Sequence, residues 1–304
     1  MKIRKHRIFT AVTLVILLFT TLLAAQSGRI QTSDDRATAV ATAVRTALGS
    51  EKNIGNIKSI VITGTMTVTV TTTRIDGGLP AATATGKSSQ SVEIRLLLPD
   101  NMMKIQSLTF PGMNLPMAIH EGVSGGESRN ASPGMSSSSQ SGAAPQVEYR
   151  PIISKDPTAV APKLDEMARL LLGMMFRSGP VTPLTMTYSN GEFTVAKLDG
   201  ILGTIEFDPK TNYPSAILYK EITTMPSIVT DSATGSASIG PRKSQSMDMI
   251  MRFHDQAAVN GVMFPHTITW KSSENSPRPI DRELKIEKIQ INSGLTLKDF
   301  ELPK

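Results

Sequence analysis

The chain predicts a mainly β, α+β fold in which about ten or eleven antiparallel strands form one strongly curved sheet covered by two helices. Three observations carry this expectation. Apolar and polar residues alternate in repeated short runs between Ile60 and Ile291; turn pairs such as Asn190-Gly191, Asp199-Gly200 and Asn260-Gly261 separate them; and no strand-helix-strand rhythm of a doubly wound fold is present. The C-terminal third states the period most plainly. Met247, Met249, Met251 and Phe253 share one phase while Asp248 and Arg252 take the other, with Ile250 alone out of step. Asn260-Gly261 accepts the positive φ of a tight hairpin, and Val262, Phe264, Ile268 and Trp270 run back on one face. In the last strand Leu284 and Ile286 share a phase that slips by one residue to Ile289 and Ile291, the mark of a β-bulge or a twisted, curving strand.

The remaining elements follow in chain order. Residues 1–25 read as a signal peptide, with Lys2, Arg4, Lys5 and Arg7 ahead of an apolar run that ends at Ala24-Ala25; an uncleaved membrane anchor is the alternative. Residues 33–48 carry Asp34 and Asp35 at the start and Gly49 beyond the end, the signals of a capped helix. From 60 to 70, Ile60, Ile62, Met66, Val68 and Val70 alternate with threonines, and Gly64 interrupts the apolar face where a bend or close backbone approach is expected. Strands at 92–98 and from Met103 onward follow. Residues 121–146 and 225–246 are rich in Ser, Gly and other small or polar residues and read as mobile insertions within a single domain spanning 26–304. Between them, Leu164, Met167, Ala168, Leu171, Leu172 and Met175 recur at helical spacing over 162–176, opening at Pro162. Four strands at 184–188, 192–197, 201–207 and 216–222 complete the series.

Composition excludes several function classes. The net charge of +6 contains four charges from the leader, leaving +2, and no basic stripe is interleaved with aromatics, so nucleic acid is not an expected partner. The absence of Cys removes disulfides, thiolate metal sites and a Cys nucleophile. His254 and His266 flank one hairpin with Asp255 nearby, a set that reads first as solvated imidazoles and only second as metal ligands. No nucleophile elbow, phosphate-cradling Gly loop or paired carboxylates occur, and the expectation is a non-enzymatic protein without cofactors.

The unusual feature is methionine, present 16 times and mostly on apolar phases. Its flexible thioether suits a surface that accepts irregular apolar shapes, though it also fills cores poor in aromatics. A sheet face of Met, Leu, Ile and Val with a very apolar helix to cover it has the chemistry of an acyl-chain pocket closed by a lid. The lining expected for it comprises Met66, Val68, Leu96, Met103, Lys104, Met249, Met251, Phe264 and Trp270 on strands, with Met167, Leu171 and Met175 on the helix.

Four stretches in order resemble the outer-membrane lipoprotein carrier and sorting superfamily: Asp208-Pro209-Lys210-Thr211-Asn212-Tyr213-Pro214, Val259-Asn260-Gly261-Val262-Met263-Phe264-Pro265, Ile289-Gln290-Ile291-Asn292, and Phe300-Glu301-Leu302-Pro303. The resemblance implies an incomplete antiparallel β-barrel around helices. It also implies a periplasmic location and an apolar cavity that shields acyl chains of lipoproteins or other lipids in transport or sorting across the cell envelope. Leu98-Pro99-Asp100-Asn101-Met102-Met103-Lys104 is similar to the family strand in which carriers that latch a lid have Arg; here Lys104 supplies a point charge instead of a planar fork. The implied partner is lipidated protein or lipid cargo. The alternative is an envelope sensor or scaffold that binds a protein partner.

Overall fold

The computed structural model describes residues 29–76, 79–108, 117–136, 146–179, 183–230, 237–273 and 279–303. The leader, and the Gly77-Gly78 turn expected after Asp76, lie outside the described residues. Fourteen strands form one sheet: β1 (Gln31–Thr32), β2 (Ser59–Asp76), β3 (Leu79–Leu97), β4 (Asn101–Leu108), β5 (Met117–Ser124), β6 (Glu127–Ser136), β7 (Gln146–Ser154), β8 (Thr185–Ser189), β9 (Glu192–Lys197), β10 (Gly200–Phe207), β11 (Pro214–Thr230), β12 (Ala237–Val259), β13 (Val262–Ser272) and β14 (Ile280–Ile291). Their spatial order is β1-β8-β9-β10-β11-β12-β13-β14-β2-β3-β4-β5-β6-β7. The helices are α1 (Asp35–Leu48), α2 (Glu51–Gly55) and α3 (Pro157–Met175), with a 3-10 turn at Leu297–Phe300.

This corrects the expected fold. Among the described residues, the incomplete, strongly curved antiparallel barrel of ten or eleven strands with two helices is instead an open sheet of fourteen strands with three helices, neither closed nor strongly curled. It is mixed, because β1 pairs parallel with β8. The slip read in the last strand is present as a register shift between Ile286 and Lys288, but one bulge kinks a ladder locally and does not roll a sheet. Opposite it, a Cβ on Gly64 would lie 2.1 Å from the Lys285 carbonyl oxygen, which explains the glycine on an otherwise apolar face.

Strands also occupy parts of the stretches read as insertions. β5 and β6 enter 121–146 around a Gly125-Gly126 turn, and β11 and β12 extend into 225–246 in paired register as far as Thr230 and Ala237. Backbone ladders need no apolar alternation, so Ser- and Gly-rich residues pair there without showing it in their pattern.

Side-chain chemistry explains the helix ends. Asp34 caps α1 by accepting from the Ala37 amide at 2.7 Å, and Ala37, Ala41, Val44 and Leu48 form its buried stripe. α3 starts earlier than the Pro162 signal because Asp156-Pro157 supplies a better start: the Asp156 carboxylate accepts from the Thr158 amide and proline occupies the first turn. Pro162 therefore falls inside the helix. The close of α3 is Phe176, a buried left-handed residue whose amide returns to the Leu172 carbonyl at 2.9 Å.

The motif stretches are turns and anchors. Asn260 and Gly261 have φ of 50° and 78°, the tight hairpin expected. The Asp208 carboxylate accepts from the amides of Lys210 and Thr211. Asn292, at φ 53°, accepts from the Lys58 amide at 2.7 Å and donates to the Asn56 carbonyl at 3.1 Å, tying the end of β14 to the entry of β2.

Candidate functional site

Among the described residues α3 carries an unbroken buried run from Met167 to Met175. Its approach to the sheet is set by Gly173, where a Cβ would sit 1.8 Å from Cζ of Phe253 on β12. Around it the structure gathers most of the expected lining. Met66, Leu96, Met167, Leu171, Met175, Met249, Met251, Phe264 and Trp270 belong to one contiguous buried cluster, against which Val68 packs half-buried. Leu171 and Met175 are 1% and 0% exposed, so the face is filled by the helix.

Met103 is elsewhere. It lies directly opposite Arg95, whose guanidinium donates to the Asp299 carbonyl at 2.9 Å, and so faces the 3-10 turn on the other side of the sheet. Met102 is the neighbour that joins the main cluster. Two consecutive methionines hide the strand's phase in the sequence.

Lys104 meets α3. Its ammonium donates to Glu166 Oε1 of α3 at 2.9 Å and lies 3.7 Å from Glu121 Oε2 of β5. Lys163 of α3 donates to the same Glu121 at 2.6 Å, and Lys197 of β9 reaches Asp165 of α3 at 2.8 Å. One helical segment, 163–166, thus carries ion pairs to two distant parts of the sheet. Burial alone would lower the Lys104 pKa, but Glu166 and Glu121 outweigh it and raise it. Burial likewise favours protonated Glu121, and Lys104 with Lys163 overcomes it to hold the carboxyl below its ordinary value.

The other end of α3 is held differently. Buried Arg45 of α1 pairs with Glu51 and donates to the Phe176 carbonyl at 3.2 Å, while Arg177 donates to the carbonyls of Ile54 and Ile57 at 3.1 and 2.7 Å. The C-terminal end is therefore anchored through backbone carbonyls, and the N-terminal half through exchangeable charges.

Three residues of this face escaped the sequence reading. Arg169 sits in the apolar run of α3 with its guanidinium carbon 4.0 Å from the centre of the buried Tyr219 ring, and Arg282 lies opposite Trp270 and Val68 on the helix-facing side. A usable signal existed for both: Arg169 interrupts Met167-Ala168 and Leu170-Leu171, and Arg282 shares the phase of Leu284 and Ile286. His254 lies opposite Thr267 and not His266, and no group of three or more metal-binding side chains occurs among the described residues. Two open clefts, of about 210 Å³ beside α1 and about 250 Å³ beside Leu164 and Lys197, contain none of the expected lining residues.

No family model and no curated protein matches the chain. Among solved structures it is similar to a LolA superfamily protein from Nitrosomonas europaea, at 12% identity and a TM-score of 0.41, over 85% of this chain and 97% of that one. It is also similar to a domain from Vibrio parahaemolyticus described as an outer membrane lipoprotein-sorting protein, at 11% identity and a TM-score of 0.37, over 84% and 92% of the two chains.

Proposed function

We propose that this chain is a non-enzymatic carrier of the cell envelope that shelters acyl chains of lipoproteins or other lipids against the sheet face now filled by α3. The observation that carries the reading is the Lys104–Glu166 pair, because the residue expected at a lid latch holds a helix that covers the apolar face. The methionine-rich lining supports it, since Met66, Met167, Met175, Met249 and Met251 repack around a flexible chain more readily than branched residues do. Loading requires α3 to exchange its contacts for those of the acyl chain. The asymmetry of its anchors points to opening from the 163–166 end, with Phe176 and the two arginines as the pivot. The leader-like first 25 residues support export to the periplasm.

The absence of native cysteines makes a direct test available. Cysteines replacing Lys163 and Glu121, joined by a short cleavable bis-thiol crosslinker, tether α3 to β5. Uptake of a fluorescent fatty acid and of a triacylated lipopeptide should fall sharply in the tethered protein and return on cleavage. Equal uptake by tethered and free forms, or none by either, removes the carrier reading. A protein-binding scaffold is the second reading, favoured by exposed Ile152 and Ile153 on β7, an edge of the sheet. It gains if acyl probes fail while β7 substitutions release an envelope protein partner.

A further inference from the structure

The buried and half-buried cations of this molecule are nearly all matched. Lys104 has two carboxylates, Arg45 has Glu51 and a carbonyl, Arg177 has two carbonyls, and Arg129 has Glu127 and the Phe300 carbonyl. Arg169 is the exception. It is 8% exposed, its Nε is buried without a hydrogen-bond partner, and among the described residues it makes no ion pair. The Tyr219 ring below it supplies a cation-π contact, and the Nε–H of the fork is left without an acceptor.

Arg282 on β14 is the second unmatched cation, half-buried and without a hydrogen bond or ion pair among the described residues. Its register opposite Trp270 and Val68 puts it on the helix-facing side, on a strand that lies between those of Tyr219 and Lys104 in the sheet order. Glu166 is one turn from Arg169 on α3 but is engaged by Lys104, and Glu221 acts on Tyr219 only through space. Burial pushes the Tyr219 hydroxyl well above its ordinary pKa, so it remains a donor, and it too has no partner among the described residues. Arg169 is thus stacked on Tyr219 beneath α3, and Arg282 lies on the same face of the sheet, opposite Trp270 and Val68. A buried guanidinium in that state is held at a cost unless an anion joins it.

We infer that Arg169 and Arg282, with the Tyr219 hydroxyl, form a site for the phosphate or carboxylate head group of an anionic amphiphile. The placement of its chains under α3 rests on the carrier reading, whereas the anion site rests on the unmatched donors alone. A phosphate accepts the planar fork of Arg169 through two oxygens and leaves a third for Arg282 or Tyr219. The inference narrows the cargo from any acyl chain to amphiphiles bearing a negative charge near the head.

The test compares phosphatidylglycerol, a diacylglycerol with the same chains, and inorganic phosphate, each against the wild-type chain, Arg169→Met and Arg282→Gln. The expected result is wild-type affinity for phosphatidylglycerol at least about 10-fold above that for diacylglycerol, a preference that collapses in both variants while diacylglycerol binding is kept. The empty Arg169→Met protein should also melt higher than wild type, because the substitution removes an unpaired buried charge and keeps the volume. Equal wild-type affinity for both lipids overturns the anion site and leaves the carrier reading standing. Stabilisation by phosphate alone, lost in Arg169→Met, keeps the anion site and removes the carrier reading. Binding of none of the three overturns both. A preference that survives Arg282→Gln, with Arg169→Met melting lower than wild type, assigns Arg169 to the core and overturns the inference.

Discussion

Replacing Lys104 with Met should loosen one end of α3 and leave the other in place. The Lys104 side chain is 14% exposed and that of Glu166 28%, so their 2.9 Å pair lies between the surface and the interior. Exposed pairs contribute about 0.2–1 kcal/mol, and removing one member of a fully buried pair costs about 3–5 kcal/mol. Methionine preserves the aliphatic stem, so packing contributes little. Glu121 keeps Lys163 as a partner, and Glu166 is exposed enough to turn toward water. Both facts pull the estimate down, to about 1–2 kcal/mol, or about 5–30-fold in a local opening equilibrium. Hydrogen exchange reads this by residue. Amides in 163–168 should exchange faster by that factor, while those in 172–177 stay at the wild-type rate because Arg45 and Arg177 still hold their end. A uniform acceleration along α3 would refute the hinge, since it would mean that the helix is released only by global unfolding. No acceleration anywhere would mean that Lys104 is a solvated charge and not a latch.

Gly173→Ala should destabilise despite its better helix propensity, because the added Cβ lies 1.8 Å from Phe253 Cζ in a closed core; a net loss of about 1–3 kcal/mol in urea unfolding is expected, with Phe253→Leu restoring part of it. Asn292→Ala should cost about 1–3 kcal/mol, since it loses hydrogen bonds to Lys58 and Asn56 and forces alanine to φ 53°, and Asn292→Gly should recover the backbone share. The charged end of α3 should also respond to pH. Although burial favours its protonated form, Glu121 is held below 4.5 by Lys104 and Lys163, so its contribution is complete above that value and drains as pH falls through the folded pKa. Lys104, raised above 10.5 by Glu166 and Glu121 against the effect of burial, contributes fully below 10.5 and is lost as pH climbs through its folded pKa. Opening of 163–168, corrected for intrinsic exchange, should therefore be flat at neutral pH and rise below about pH 4.5, and an unchanged opening free energy from pH 7 to pH 3 would remove the carboxylate from the latch.

What the sequence disclosed follows from how local each feature is. Asn260-Gly261, Asn190-Gly191 and the Asp208 turn were legible because each is closed by its own few residues. The bulge of β14 was legible because a one-residue slip reverses which side chains are buried, as Leu284, Ile286 and Ile289 show. β5, β6 and β7 were not legible. Their pairing satisfies backbone groups, and Gly122 packs against the backbone of Met102 and Met103 where any side chain would collide, so close contact there favours the composition that reads as unstructured. Sheet closure could not be read from one strand either, because it depends on whether β1 and β7 meet, and these lie over a hundred residues apart in sequence.

The candidate site was legible in its apolar part and hidden in its polar part for one physical reason. Helical periodicity assigns Leu171 and Met175 to the core whatever the partner, since any apolar face would bury them. The same periodicity is silent about Arg169, because a long charged side chain on an apolar stripe ordinarily carries its head out to water. Here Gly173 draws α3 close to β12 and the Tyr219 ring lies 4.0 Å from the guanidinium carbon, so the side chain is largely covered and its Nε is buried. Its burial is thus a property of the distance between α3 and the sheet. Any motion that lifts the 163–166 end should hydrate Arg169 as well as expose the methionine face, and loading with an anion should close the helix again. On the carrier reading, the Lys104–Glu166 pair and the unmatched cation are then coupled through one displacement. Lys104→Met should accordingly raise the rate at which phosphatidylglycerol enters more than it raises the rate at which it leaves, because only the loaded state supplies a counter-charge to hold α3 down.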